Sequence, residues 1–216
     1  MTAEVRTAAI LAGGENRRFP SLKAFIEIDG SSLINRNLAL LRSLFDEVLI
    51  STNLPAAYFA LGAPLIGDIF PSAGPISGIH ACLLNAAHES IFVLACDMPF
   101  VRRELITLVC ERHAAMTHDT TLQATVPVFD NVPQPLLGAY RRNAVPQMED
   151  GILHGRTSMK RFLREINTSF IPEALVRQAD PSGSSFTNIN TLADYDRITT
   201  DSRRGSCIVE PPGRRR

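Results

Sequence analysis

The sequence predicts a single α/β domain, with a mostly parallel sheet covered by helices on both faces. Three observations carry this reading. Short apolar runs rich in β-formers alternate with longer segments of helical period. The most apolar run, Ile91–Ala95 (IFVLA), shows no polar alternation, as expected of a central parallel strand buried on both faces. The chain has 216 residues, 45% hydrophobic and 20% charged, which suits one core and leaves too little charge for a disordered chain.

The elements follow in chain order. Thr7–Leu11 (TAAIL) reads as the first buried strand, followed by the loop AGGENRRFPSLK and a short run, Phe25–Ile28, that ends in the turn Asp29-Gly30. Ser31 or Ser32 can cap a helix in which Leu33, Ile34, Leu38, Leu41, Leu44 and Phe45 share one face. Val48–Ser51 is the next strand, then come a helical 55–61, a short strand at 64–66, a loop at 67–74 and a helix at 75–87. After Ile91–Ala95, the apolar positions Leu105, Ile106, Leu108 and Val109 predict a helix over 102–115, and 123–129 reads as a strand. Beyond Gln134 the signals shorten. A glycine-punctuated loop from Gly151 leads to a helix with Met159, Phe162, Leu163 and Ile166 on one side, and Thr191 can cap a last helix toward Ile198. The domain is therefore expected over 1–198, with a basic tail at 199–216 that has few apolar residues and is expected to be disordered.

Composition excludes several classes of function. With 22 basic and 22 acidic residues the formal net charge is zero, so no global field attracts nucleic acid or an anionic membrane. Every apolar run breaks within about eight residues, short of the 18 to 20 needed to span a bilayer. No secretory signal core precedes the first strand, which points to the cytoplasm. Cys82, Cys96, Cys110 and Cys207 form no CxxC pair and read as free thiols. The five histidines lack metal-site spacing, and no GxSxG elbow is present.

Four segments can carry chemistry. Leu11-Ala12-Gly13-Gly14, with Arg17, Arg18 and Lys23 after it, puts glycines and cations just beyond the first strand. Backbone N–H groups can close around phosphate oxygens there, and a lysine can neutralise them; the alternative is a plain structural turn. Neither GxxxxGK[ST] nor GxGxxG is present. Asp97 follows the most buried strand, at the carboxyl end where open parallel sheets place ligands, so it could share Mg²⁺ with substrate phosphates or simply cap a helix. Asp68 ends an apolar run in the same way and could equally be structural. In Gly74-Pro75-Ile76-Ser77-Gly78 a helix N-terminus could meet an anion. In Phe186-Thr187-Asn188-Ile189-Asn190-Thr191, Asn188 and Asn190 fall on one side of an extended chain, to bind a polar ligand or merely to lead into the Thr191 cap.

Together these segments resemble the molybdenum cofactor guanylyltransferases (MobA-type), within the nucleotidyltransferases built on a Rossmann-like sheet. The resemblance rests on LAGGENRRFPSLKAF, GPISGI, CDMPF (96–100), QPLLGAYRR (134–142) and FTNINTLADY (186–195), in family order. Arg18 and Lys23 match the family's N-terminal signature, while Phe19, Pro20 and Leu22 replace its Met, Gly and Asp, and Leu192 replaces a proline.

The resemblance implies that Leu11, Ala12, Gly13 and Gly14 wrap the nucleotide, that Lys23 meets its phosphates and that Arg18 clamps them. It implies a guanosine site with Asn53 and Asp68, Mg²⁺ on Asp97, and molybdopterin facing Asn188 and Asn190. The implied reaction is attack by the terminal phosphate of Mo-molybdopterin on the α-phosphorus of GTP, with release of pyrophosphate and no protein nucleophile. Transient contact with proteins that deliver and accept the cofactor is also expected. A cytidylyltransferase on the same cofactor or a sugar-phosphate nucleotidyltransferase is the competing reading within the fold. Gly13, where those enzymes carry alanine, and the NxNT ending favour guanine. A non-catalytic nucleotide-binding adaptor is the competitor of another class.

Overall fold

A computed structural model describes residues 5–13, 22–71, 73–116, 118–189 and 194. The chain runs β1 (Val5–Leu11), β2 (Glu27–Ile28), β3 (Ser31–Ser32), α1 (Leu33–Arg42), β4 (Glu47–Ser51), α2 (Pro55–Tyr58), β5 (Leu65–Ile66), α3 (Pro75–Asn85) and β6 (Ser90–Ala95). It continues through α4 (Arg103–Ala115), β7 (Ala124–Phe129), β8 (Val132–Pro133), β9 (Leu137–Arg141), α5 (Val145–Leu153), α6 (Met159–Glu165), β10 (Thr168–Ile171) and α7 (Glu173–Ala179).

The main sheet has the order β10-β7-β9-β6-β1-β4-β5, with β8 paired to β7. β1 is parallel to both β4 and β6, β4 is parallel to β5, and β10 is parallel to β7. β9 runs antiparallel to β6 and to β7, so the sheet is mixed but mostly parallel. All six residues of β6 are buried, in keeping with the unbroken apolar run. Alternation along the central strands feeds two cores: Ala8, Ile10, Phe92 and Leu94 pack with α1 and α4 on one face. Ala9, Leu11, Ile91 and Val93 pack with α3, α5 and α6 on the other.

Ser32 caps α1, its hydroxyl accepting from the Asn35 N–H at 3.4 Å. Several expected boundaries move. The run 25–28 starts as a 3₁₀ turn at Lys23–Phe25, leaving only Glu27 and Ile28 in a strand. α1 ends at Arg42, because the Ser43 N–H already turns back to the Leu40 carbonyl at 3.2 Å. Gly151 lies inside α5 instead of opening a loop, and its ideal Cβ position would sit 3.2 Å from the Arg156 carbonyl oxygen, a closeness only glycine permits without adjustment. The helix capped by Thr191 and the 199–216 tail lie outside the described residues.

The core also encloses an ionisable group. His113 on α4 is fully buried, with Nδ1 2.9 Å from Thr125 Oγ1 and Nε2 3.2 Å from Ser90 Oγ. Burial, then the Arg141 charge, pushes its pKa from 6.5 down to about 4. The unfolded chain therefore binds the extra proton first, so this group's contribution is complete above pH 6.5 and is lost as pH falls toward 4. At pH 4 the loss is about 3 kcal/mol. Urea unfolding from pH 7 to pH 4 should show the wild type losing about that much more stability than His113→Gln; parallel pH profiles would refute the assignment.

Candidate active site

The site lies where the connections part. From β1 the chain passes through α1 to β4 and on to β5, then crosses back through α3 to β6 on the other side of β1. Loops leaving β1 and β6 therefore diverge around a crevice at their carboxyl ends, the usual ligand position in such sheets. The two strand ends are joined, the Cys96 N–H donating to the Leu11 carbonyl at 3.1 Å.

β1 delivers Leu11, Ala12 and Gly13 to this crevice. Ala12 donates its N–H to the Ser51 carbonyl at 2.9 Å, so β4 still holds the chain there, and Gly13 beyond it is exposed. Lys23 returns on the 3₁₀ turn 23–25, half-buried. Gly14 and Arg18, between them in sequence, lie outside the described residues.

Asp97 sits on the turn just past β6. It caps no helix: α4 begins at Arg103, with Arg102 in the cap position. Burial pushes its carboxyl above the usual range, and the Lys23 ammonium opposes that shift. A desolvated carboxylate beside a lysine suits a polyanion carrying a cation. Among the described residues no group of three or more His, Cys, Asp and Glu side chains forms a metal cage. Asp97 alone suffices for a hard divalent ion that takes most of its ligands from phosphate and water. The neighbouring Cys96 thiol is pushed up to about 12, by burial first and then by Asp97, so it stays protonated and takes no nucleophilic part.

Asn53 and Asp68 form one unit at the ends of β4 and β5. The Asn53 amide donates to the Asp68 carboxylate at 2.8 Å, and the Asp68 N–H donates back to Asn53 Oδ1 at 2.9 Å. Asp68, which its sequence surroundings left open to a structural role and the resemblance grouped with Asn53, is thus held against Asn53, with one carboxylate oxygen outside this pair.

Two features were not evident in the sequence. The QPLLG turn closes on the crevice from β9, the Leu136 carbonyl accepting from the Ala95 N–H at 2.9 Å. Ile189 is fully buried between the two asparagines, packs with Ile28 and Leu33, and donates its N–H to the Asp97 carbonyl at 3.1 Å. Asn188, the residue before that anchor, is exposed; the i, i+2 spacing hints at extended chain, and the apolar residue within it is the further signal. Asn190 lies outside the described residues. In GPISG, Gly74 and Pro75 open α3 as expected, and Gly78 serves packing, its ideal Cβ position falling 2.5 Å from Ser51 Oγ and 3.3 Å from Leu11 Cδ2.

Residues 8–170 match the family model of the MobA-like NTP transferase domain. A molybdenum cofactor guanylyltransferase of Desulfosudis oleivorans is 33% identical over 203 residues, 92% of this chain and 96% of that one. A protein of Peptoclostridium acidaminophilum, described as a probable molybdenum cofactor guanylyltransferase, is 31% identical over 201 residues, 91% of each chain. The crystal structure of molybdopterin-guanine dinucleotide biosynthesis protein A from Archaeoglobus fulgidus superposes with a TM-score of 0.78 at 29% identity, covering 92% of this chain and 99% of that one. Among the described residues no helix is long and apolar enough to cross a membrane.

Proposed function

This chain belongs to the MobA-like NTP transferase family, and from that premise we propose that it transfers GMP from GTP to the terminal phosphate of molybdopterin. The product is the guanine dinucleotide form of the molybdenum cofactor. The observation that carries the reading is the meeting, at one topological switch point, of the glycine loop after β1, Lys23, and a buried carboxylate after β6.

An oxygen of the acceptor phosphate forms a bond to the α-phosphorus of GTP. The bond from that phosphorus to the bridging oxygen breaks, and its electron pair leaves with pyrophosphate. The attacking phosphate is already anionic near neutral pH, so no protein base is needed, and catalysis rests on alignment and charge neutralisation. Leu11, Ala12, Gly13 and Gly14 would wrap the nucleotide. Lys23 and Arg18 would bind its phosphates and hold the α-phosphorus in line. Asp97 would hold Mg²⁺ against the phosphate oxygens; when bound, that ion draws off the charge that develops on the leaving group. Asn53 and Asp68 present an amide and a carboxylate on one rim, a donor and acceptor set suited to the guanosine, while Asn188 and Asn190 would orient the pterin side. The whole of 1–198 would form the catalytic domain. With GTP as donor the reaction belongs in the cytoplasm, where transient docking of proteins that deliver and receive the cofactor would complete the path.

The test is pyrophosphate release by the purified protein with Mg²⁺ and molybdopterin, comparing GTP, CTP and ATP. Release with GTP well above the others is expected. Preference for CTP would keep the fold and overturn the base, whereas nucleotide binding without release from any of the three would overturn the enzymatic reading.

A further inference from the structure

The donor loop after β1 is braced from below by a side chain outside all the motifs. Tyr58, on α2, is 1% exposed, and its hydroxyl donates to the Ala12 carbonyl at 3.2 Å. The peptide between Ala12 and Gly13 is trans, so a carbonyl held by Tyr58 turns the Gly13 N–H the opposite way, away from α2. The Ala12 N–H is occupied by the Ser51 carbonyl, which makes Gly13 the first residue of the loop whose N–H direction is set by something other than the sheet. Among the described residues, its chain neighbours aside, no heavy atom lies within 4 Å of where a Gly13 Cβ would be.

The same ring reaches the other wall of the loop. Its centroid lies 5.2 Å from that of Phe25, tilted by 41°. Phe25 closes the 3₁₀ turn that carries Lys23, its N–H bonded to the Leu22 carbonyl at 2.9 Å. Tyr58 itself stands on the short helix that follows Asn53, and the turn between them is held by the Leu54 N–H donating to Thr52 Oγ1 at 3.1 Å. One buried side chain thus links the glycine loop by its hydroxyl, the lysine turn by its ring, and the base-side turn by its own helix.

We propose that Tyr58 is a positioning residue for the nucleotide: it sets the Ala12–Gly13 peptide and the Lys23 turn in the arrangement that receives the triphosphate. The proposal rests on the nucleotidyl-transfer reading above. Burial above all pushes the Tyr58 hydroxyl up to about 12, so it keeps its proton and donates throughout the working range.

Tyr58→Phe keeps the ring and removes only the donor. In steady-state pyrophosphate release, its KM for GTP should rise about tenfold, as for a lost buried hydrogen bond, while the KM for molybdopterin stays within about twofold. Equilibrium binding of a fluorescent GTP analogue with Mg²⁺ and no acceptor should weaken by the same factor, which separates the effect from turnover. A lowered Tm with unchanged affinity for GTP, or equal rises in both KM values, would reduce Tyr58 to a packing residue and overturn the inference. If the wild type itself neither binds nor turns over a nucleotide, the failure lies with the preceding reading. If the wild type is active and the variant matches it, this inference alone fails.

Discussion

Asp97→Ala is expected to lower kcat/KM for pyrophosphate release by about 10³-fold, equivalent to about 4 kcal/mol of transition-state stabilisation. The carboxylate is the one acidic side chain on the turn after β6, its charge is desolvated, and Lys23 opposes the resulting rise in its pKa. A residue with those properties in a merely structural place would be costly to retain as an anion. Its backbone carbonyl, not its side chain, ties down Ile189, so the anchor survives replacement of the carboxylate. Asp97→Asn separates shape from charge: it should lose nearly as much activity as the alanine variant and require far more Mg²⁺ for half-maximal rate. An asparagine variant with near wild-type turnover at ordinary Mg²⁺ would remove Asp97 from the chemistry.

Gly78→Val is expected to destabilise the protein by about 3 kcal/mol or more, at the upper end of what overpacking costs. Even the first carbon of a side chain would lie 2.5 Å from Ser51 Oγ, 3.3 Å from Leu11 Cδ2 and 3.5 Å from Ser51 Cβ. α3 can settle onto the carboxyl ends of β1 and β4 only because that position has no side chain. Gly78→Ala is the gentler variant. The Ser51 hydroxyl can rotate, and alanine gains about 1 kcal/mol of helix propensity over glycine, so the net loss should be 1 kcal/mol or less. Removing the opposing oxygen in Ser51→Ala/Gly78→Ala should recover that loss. Urea unfolding of the four chains checks this, and a valine variant as stable as the wild type would show that α3 sits farther from the strands than described.

The parallel half of the fold could be read directly because local and tertiary signals agree there. IFVLA is apolar throughout and lies in the sheet interior, and the helix from Leu33 carries its apolar stripe and its serine cap in the expected places. The antiparallel strand β9 could not be read in the same way. Its sequence, LGAYR, begins just after a proline and contains Gly138, both of which signal a loop. In the structure Gly138 is needed where β9 meets β7: its ideal Cβ position lies 3.1 Å from the Thr125 carbonyl oxygen. The site divides in a similar way. Asp97 announced itself by standing at the end of the most apolar strand, whereas Asn53 and Asp68 were grouped only by the family resemblance, since neither residue's local pattern points to the other. Tyr58 resembled any aromatic of a short amphipathic helix, since a backbone carbonyl as its partner leaves no trace in a sequence.

The bond from the Ile189 N–H to the Asp97 carbonyl also sets an order of assembly. β1, β4, β5 and β6, with the helices between them, come from one continuous stretch ending at Ala95, so a chain emerging from the ribosome holds early the strands on which the proposed nucleotide site is built. The segment that carries Asn188 is among the last described to be synthesised, after α7. On the roles proposed above, a nascent chain would therefore acquire its nucleotide side before the segment that would face the acceptor.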